Sequence, residues 1–531
     1  MTIRNKTFTS INCPKGLQIA YEMNSLFRDA FWEFISIFRL LYVQTASPIK
    51  GDPLYTQRFF VITRGIRASK IISIISWVYF SYWREKGRFP LGRFRTYQFS
   101  GARIATITFC FRRYITPLCG SGWNYVSVFI LSYFVFQNTY ALNDLGYWGS
   151  RNQLSYDEKV RSRISALRLR FSGLGSYLIS AIAPSISGAN SARNRKILSI
   201  ILVSLYFLSQ RFYTLIRKER YVSKEREEER RKGVTSPFAP FKRLKEYPQI
   251  ALALFSHILL FASSYLRTGN VANYFYYEFG YGAFNSINHF ASALRNGAKV
   301  NFIYSISYGC GVILSNFLFP LIHAKFSKKK RLFVARPCCL LLGLYLFFFG
   351  RKAGFEYSLF VAIFLFAFFN GDIFVSNTLD IYNTADLYEA KTGKERSCSV
   401  ASLKSAAVLT ANARQTLFYY LILATCGLRG VTDKIGQREK ENMLNPREGF
   451  EQSVNDRIRN TENLSSHLTR YRAWVTLVPT ARLIICGCIT VFGLKADDEK
   501  YYSSIVGPRK EKQHEAERKE RELENEKTDI L

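Results

Sequence analysis

The chain of 531 residues predicts an all-α membrane protein of about twelve transmembrane helices in two six-helix halves. Three observations carry that expectation. Charge-free or nearly charge-free windows recur along the chain. Basic clusters fall between those windows and not on one face. A long charged segment divides the chain near its middle.

The longest window is Tyr114–Asn143, thirty residues without a charge. Others are Phe171–Ala192, Ile197–Gln210, Gln249–Leu266, Phe302–Ala324, Pro337–Gly350, Tyr357–Gly371, Gln415–Leu428 and Leu483–Leu494. Several approach the roughly 18 residues that span a bilayer core as a helix. Mean hydropathy is only −0.04, because charged loops and a charged tail offset the apolar runs.

A net charge of +35 would suit a nucleic-acid binder, but the basic residues cluster at Arg84–Arg95, Arg151–Arg163, Arg211–Lys245, Lys325–Arg336 and Lys391–Lys404. That distribution is the one the positive-inside rule produces, so no nucleic-acid partner is expected. The ten cysteines form no CxxC and no metal-ligand spacing, and most lie in apolar runs as small packing residues. No cleavable signal peptide is expected.

Taken in order, the expected spans are 25–46, 62–82, 97–117, 123–148, 168–188, 195–216, 247–269, 300–323, 332–350, 357–381, 405–428 and 472–494. The first carries Arg28, Asp29, Glu33 and Arg39, and the second carries Arg64, Arg67 and Lys70. Charges in lipid are costly, so these side chains must face an interior cavity or snorkel. An even number of spans puts the basic loops and both termini on the cytoplasmic side of an inner or plasma membrane. The expected organisation is an N-terminal half (1–216), a charged cytoplasmic linker (217–246), a C-terminal half (247–495) and a charged tail (496–531).

Asp144 stands at the end of the longest apolar run. On a helix, Tyr140, Asp144 and Trp148 form one stripe at i, i+4 and i+8. A carboxylate between two aromatic rings suits a sugar, whose hydroxyls donate to the acid and whose C–H face stacks on a ring. A pairing or capping role at the membrane boundary is the alternative. A polar loop with Asp157 and Arg161 follows, then Arg168.

This stretch resembles the fourth and fifth helices of the glycoside-pentoside-hexuronide:cation symporter family, within the major-facilitator transporters. The residues that carry the resemblance are Tyr140, Asp144, Trp148, Asp157, Arg161, Arg168 and Phe171-Ser172-Gly173-Leu174-Gly175. Four more segments resemble the family in the same order. They are RFPLGRFRTYQFSGA with Gly92, Arg93 and Arg95, the YPQIALALF…EFGYG stretch, ADLYEAKTGKE with Asp386 and Glu389 as a helix 10–11 loop, and YRAWVTLVPTARLIICGC.

The resemblance implies that Asp144 and Arg168 contact a sugar and that Trp148 stacks on it. Tyr140 shares their stripe, and Asp29 matches a sugar-binding aspartate of the first helix. Arg161, Arg93 and Arg95 are expected as cytoplasmic gate or anchor residues, with Asp386 and Glu389 as candidate partners across the halves; a role in topology alone is the alternative for these loop charges.

The chain departs from the family at the coupling-cation site. The two aspartates expected on the second helix are Ser73 and Trp77, and Lys70 replaces the arginine before them. Trp77 offers a cation no anionic oxygen, so coupling to Na+ or H+ stays open beside uniport. Asp29 is another acid available for proton coupling, and Lys70 is a candidate stand-in for the cation.

The expected function is secondary transport of a sugar or glycoside by alternating access, without a cofactor, by a monomer in the lipid bilayer. A transporter of a non-sugar amphiphile and a degenerate transporter kept as a sensor or scaffold are the alternatives. A membrane enzyme is not expected, since the five histidines form neither HxxxxD nor HExxH.

Overall fold

The computed structural model describes residues 15–45, 54–150, 158–185, 191–217, 247–280, 297–350, 356–392 and 450–494, apart from single positions within them. It also describes short pieces at 236–238, 403–412 and 421–431 and isolated residues elsewhere. Every long element is helical. They are α1 (Lys15–Thr45), α2 (Tyr55–Lys86), α3 (Arg93–Cys110), α4 (Trp123–Ser150), α5 (Glu158–Ser185) and α6 (Ser191–Ile216), followed by α7 (Pro248–Phe279), α8 (Gly297–Lys325), α9 (Lys328–Phe349) and α10 (Glu356–Thr392). A short α11 (Phe450–Arg459) then leads into α12 (Leu464–Cys488). The expected eleventh span, 405–428, is helical at 406–408, 410–412 and 421–425, turns at 426–427, and between 413 and 420 lies outside the described residues. The tail and most of the linker lie outside them too, as do Cys13 and Cys398.

Among the described residues seven helices are long and apolar enough to cross a membrane: α4, α6, α7, α8, α9, α10 and α12. The charges of α1 and α2 explain why these two look weak by composition. Arg28, Lys70 and Arg84 are buried inside the bundle, at 3, 5 and 0 % exposure, which is where a costly charge can be paired. The outer surface instead shows Ile107, Leu131, Leu208, Phe333, Leu341 and Phe348. In water such a belt would drive association, whereas in a bilayer it contacts its own solvent.

The helices pack as two similar sets. α1 packs on α6, α2 on α4, α3 on α4 and α3 on α6; six helices later, α7 packs on α12, α8 on α10, α9 on α10 and α9 on α12. Each set has its own apolar core, one around Phe31, Phe109, Phe136 and Tyr206 and one around Phe275, Tyr304, Phe366 and Tyr471. Small residues set the closest crossings. A Cβ on Gly101 of α3 would strike the backbone of Asn143, and one on Gly146 of α4 would strike that of Gln98.

The sets meet where α5 packs on α8 and where Leu169 clusters with Phe319 and Val375. Arg170 adds polar contacts there. Pro320 has no N–H, so the Asn316 carbonyl one turn earlier loses its helical donor. Arg170 Nε donates to that oxygen at 2.8 Å, and its Nη2 donates to the Phe317 carbonyl at 2.8 Å.

Several element ends differ from expectation. Glu158 to Arg161 open α5 and are not a loop. The stretch expected as the 10–11 loop is helical through Thr392, so Asp386 and Glu389 sit on the last turns of α10. At 37 residues α10 is about 55 Å long and overruns the ~30 Å hydrocarbon core. Arg217, expected as the first residue of a solvated linker, is 1 % exposed, with its guanidinium over the Phe94 ring.

Candidate functional site

The stripe on α4 faces α1, α5 and the eleventh-span segment. Asp144 lies within the helix and its carboxylate meets Arg28 of α1, with Nη1 to Oδ1 at 3.2 Å. Arg28 also donates through Nε and Nη2 to Oδ1 of its neighbour Asp29, at 2.9 and 2.7 Å. The other Asp29 oxygen accepts from Ser172 of α5 and lies 3.9 Å from Arg168 Nη2. One guanidinium therefore joins two carboxylates, and the second carboxylate reaches toward a second guanidinium. With Arg28 only 3 % exposed, a cluster of this kind is tolerated in a low-dielectric interior only when its members compensate each other.

Aromatic rings line the cluster. The Arg28 guanidinium lies 4.0 Å from the centroid of Tyr147 and 5.4 Å from that of Trp148. Tyr140 stacks on Trp32 with centroids 4.7 Å apart, and its hydroxyl donates to the Arg28 carbonyl at 3.3 Å. Arg168 is buried, with its guanidinium 3.9 Å from the Trp148 ring centroid. Lys404, from the other half of the chain, places its ammonium 4.2 Å from the same centroid and donates to the Tyr382 hydroxyl at 3.3 Å. Trp148 is thus where the two halves touch the cluster.

All five residues expected to contact substrate, Asp29, Tyr140, Asp144, Trp148 and Arg168, meet in this one place. Arg28, Ser172, Tyr147 and Lys404 join them and were not among the expected site residues. A charge inside an apolar span was the available signal for Arg28. Lys404 lies outside the apolar window of its span, at the end of a basic cluster and out of register with the family's eleventh-helix lysine, which would fall near Leu409.

The positions expected for a coupling cation are filled by other chemistry. Ser73 is fully buried and its hydroxyl donates to the Ser69 carbonyl of its own helix at 2.8 Å. Trp77 is buried with Tyr97, Ala141 and Leu145. Lys70 Nζ donates to Asn412 Oδ1 at 2.6 Å, a second polar link between the halves.

The expected gate residues divide. Arg93 Nη1 pairs with Glu85 at 3.0 Å, and Glu85 also binds Arg84 at 2.9 Å, all within the N-terminal half. Arg95 Nε donates to the Thr214 carbonyl of α6 at 2.8 Å. In the C-terminal half, Lys328 pairs with Asp380 and Arg331 with Asp372. The side chains of Arg161 and Glu389 lie outside the described residues.

The family model for MFS/sugar transport proteins matches residues 66–445. The structure is similar to the E. coli fucose:proton symporter (TM-score 0.53, 11% identity, covering 88% of this chain and 98% of that one). It is similar to the major-facilitator proton:xylose symporter bound to 6-bromo-6-deoxy-D-glucose (TM-score 0.51, 12% identity, 88% and 94%). It is also similar to a bacterial homologue of the iron transporter ferroportin (TM-score 0.52, 11% identity, 90% and 98%). At these identities the likeness is one of fold. No curated protein matches the chain.

Proposed function

Because the chain belongs to the MFS/sugar transport protein family, we propose that it carries a sugar or glycoside across the membrane by alternating access, with the Asp144–Trp148–Arg168 cluster as its binding site. The observation that carries the reading is the convergence of two carboxylates, two guanidiniums and a half-buried indole at one point between the halves. Carboxylates accept from sugar hydroxyls, guanidiniums donate to ring and hydroxyl oxygens, and the indole offers a stacking face.

In this arrangement Arg168 and Lys404 lie over the Trp148 ring, where a pyranose would stack. Stacking therefore requires a cation to withdraw. Lys404 belongs to the half that moves away when the transporter rocks open, so the opening motion itself clears the ring. The positive-inside pattern supports a plasma or inner membrane location with both termini cytoplasmic. Ser73 and Trp77 supply no anionic oxygen, which favours transport that does not depend on Na+.

The test is energy transfer from tryptophan to a fluorescent glycoside, on the wild type and Asp144→Ala, with and without Na+, followed by sugar counterflow in liposomes. A signal displaced by free sugar, lost in the variant and indifferent to Na+ is the expected result. Absence of both signal and counterflow for every sugar would remove the sugar reading. Binding without counterflow would replace transport by sensing.

A further inference from the structure

The C-terminal half contains a buried cation that the site above does not use. Arg267 of α7 is 8 % exposed. Its guanidinium lies 3.8 Å from the centroid of Phe366 and bonds to the Tyr308 hydroxyl, which also accepts from Asn370 at 3.0 Å. Among the described residues no carboxylate pairs with it. Asp372, an acid of the same region, is held by Arg331.

A cavity of about 40 Å³ lies beside this guanidinium, lined mostly by apolar side chains such as Phe275, Leu346, Ile363 and Val475, with Tyr304, Tyr308 and Thr480 as polar neighbours. Tyr304 is also 8 % exposed, and among the described residues its buried hydroxyl has no hydrogen-bond partner. The threonine hydroxyls are committed elsewhere, Thr480 to the Thr476 carbonyl and Thr476 to the Arg472 carbonyl.

A guanidinium stays charged at physiological pH and carries five N–H donors. Burying one without a carboxylate is costly, and a desolvated ring face returns only part of that cost. Among the described residues this cation is met by a ring face and a phenol without a carboxylate, and the Tyr304 phenol is an unused donor on the same small space. A water needs roughly 10–15 Å³ of such space, so the cavity admits a few heavy atoms. We propose that Arg267 and Tyr304 form a binding site for a small monoanion of halide or formate size, separate from the α4 cluster. Arg267 would supply the charge and Tyr304 an O–H donor.

The experiment measures equilibrium binding of radiolabelled chloride and of formate to the purified full chain in gluconate buffer. Saturable binding at one site per chain, with each ion displacing the other, is expected. Arg267→Gln should weaken it at least tenfold and Tyr304→Phe several-fold. No saturable binding to the wild type, or unchanged affinity in Arg267→Gln, would overturn the proposal. If Arg267→Gln does not fold, the near-isosteric Tyr304→Phe decides, and unchanged affinity there overturns it. Glycoside binding at Trp148, read on the same preparation, reports separately on the sugar site.

Discussion

Arg28 shows how a single side chain can hold a site together. Its guanidinium bridges Asp29 and Asp144, so Arg28→Ala leaves two buried carboxylates without their main partner. We expect a loss of about 3–5 kcal/mol, the range for breaking a buried pair from one side, read as a lowered Tm in detergent. Asp144→Asn keeps a polar side chain against Arg28 and should cost less stability while abolishing glycoside binding. That split separates a binding role from a purely structural one. Lys404→Ala removes the ammonium over Trp148 and should tighten glycoside binding several-fold, read by the same energy transfer. At this scale the α4 stripe was legible because four-residue spacing maps directly onto one helix face. The partners on other helices were not, since helix spacing says nothing about which helix is adjacent. Arg28 could be suspected from its cost in an apolar span, whereas Lys404 could be assigned only from the packing.

Among the elements, α5 and α8 carry the most informative contact. The Asn316 carbonyl is freed by Pro320 and taken by Arg170 from the other half. Hydrogen bonds to a charged donor are worth about 1.5–3 kcal/mol. Arg170→Ala should therefore shift the balance away from the arrangement in which α5 and α8 meet by about tenfold to a hundredfold, seen as a changed rate of labelling of a cysteine introduced beside Trp148. Pro320→Ala restores a helical donor to the same carbonyl. The effect of Arg170→Ala should shrink in that background, a coupling that a double-mutant cycle measures. Helix existence was legible for the charge-free windows. Helix ends were not, because charged residues continue these helices beyond the apolar run. Glu158 and Lys391 both lie on helices at positions where polarity suggested loops.

For the whole molecule, the repeated packing of α1–α6 and α7–α12 gives two similar bodies that meet along α5 and α8. The layout was visible in the alternation of apolar windows and basic clusters. The close fit within each body was not. It rests on glycines such as Gly101 and Gly146, which look unremarkable until the facing backbone is known. Gly101→Val should prevent α3 from seating on α4 and give protein that aggregates on gel filtration instead of running as one peak.

The same contact constrains how the molecule can move. Two helices whose backbones touch through Gly101 and Gly146 have no room to slide and no side-chain layer to shear. A pair of spin labels on the outer faces of α3 and α4 should report one narrow distance, identical with and without sugar. A pair on α3 and α9 should broaden or shift between the two conditions. The hinge of this machine would then be found between its halves, with α3 and α4 behaving as a single strut.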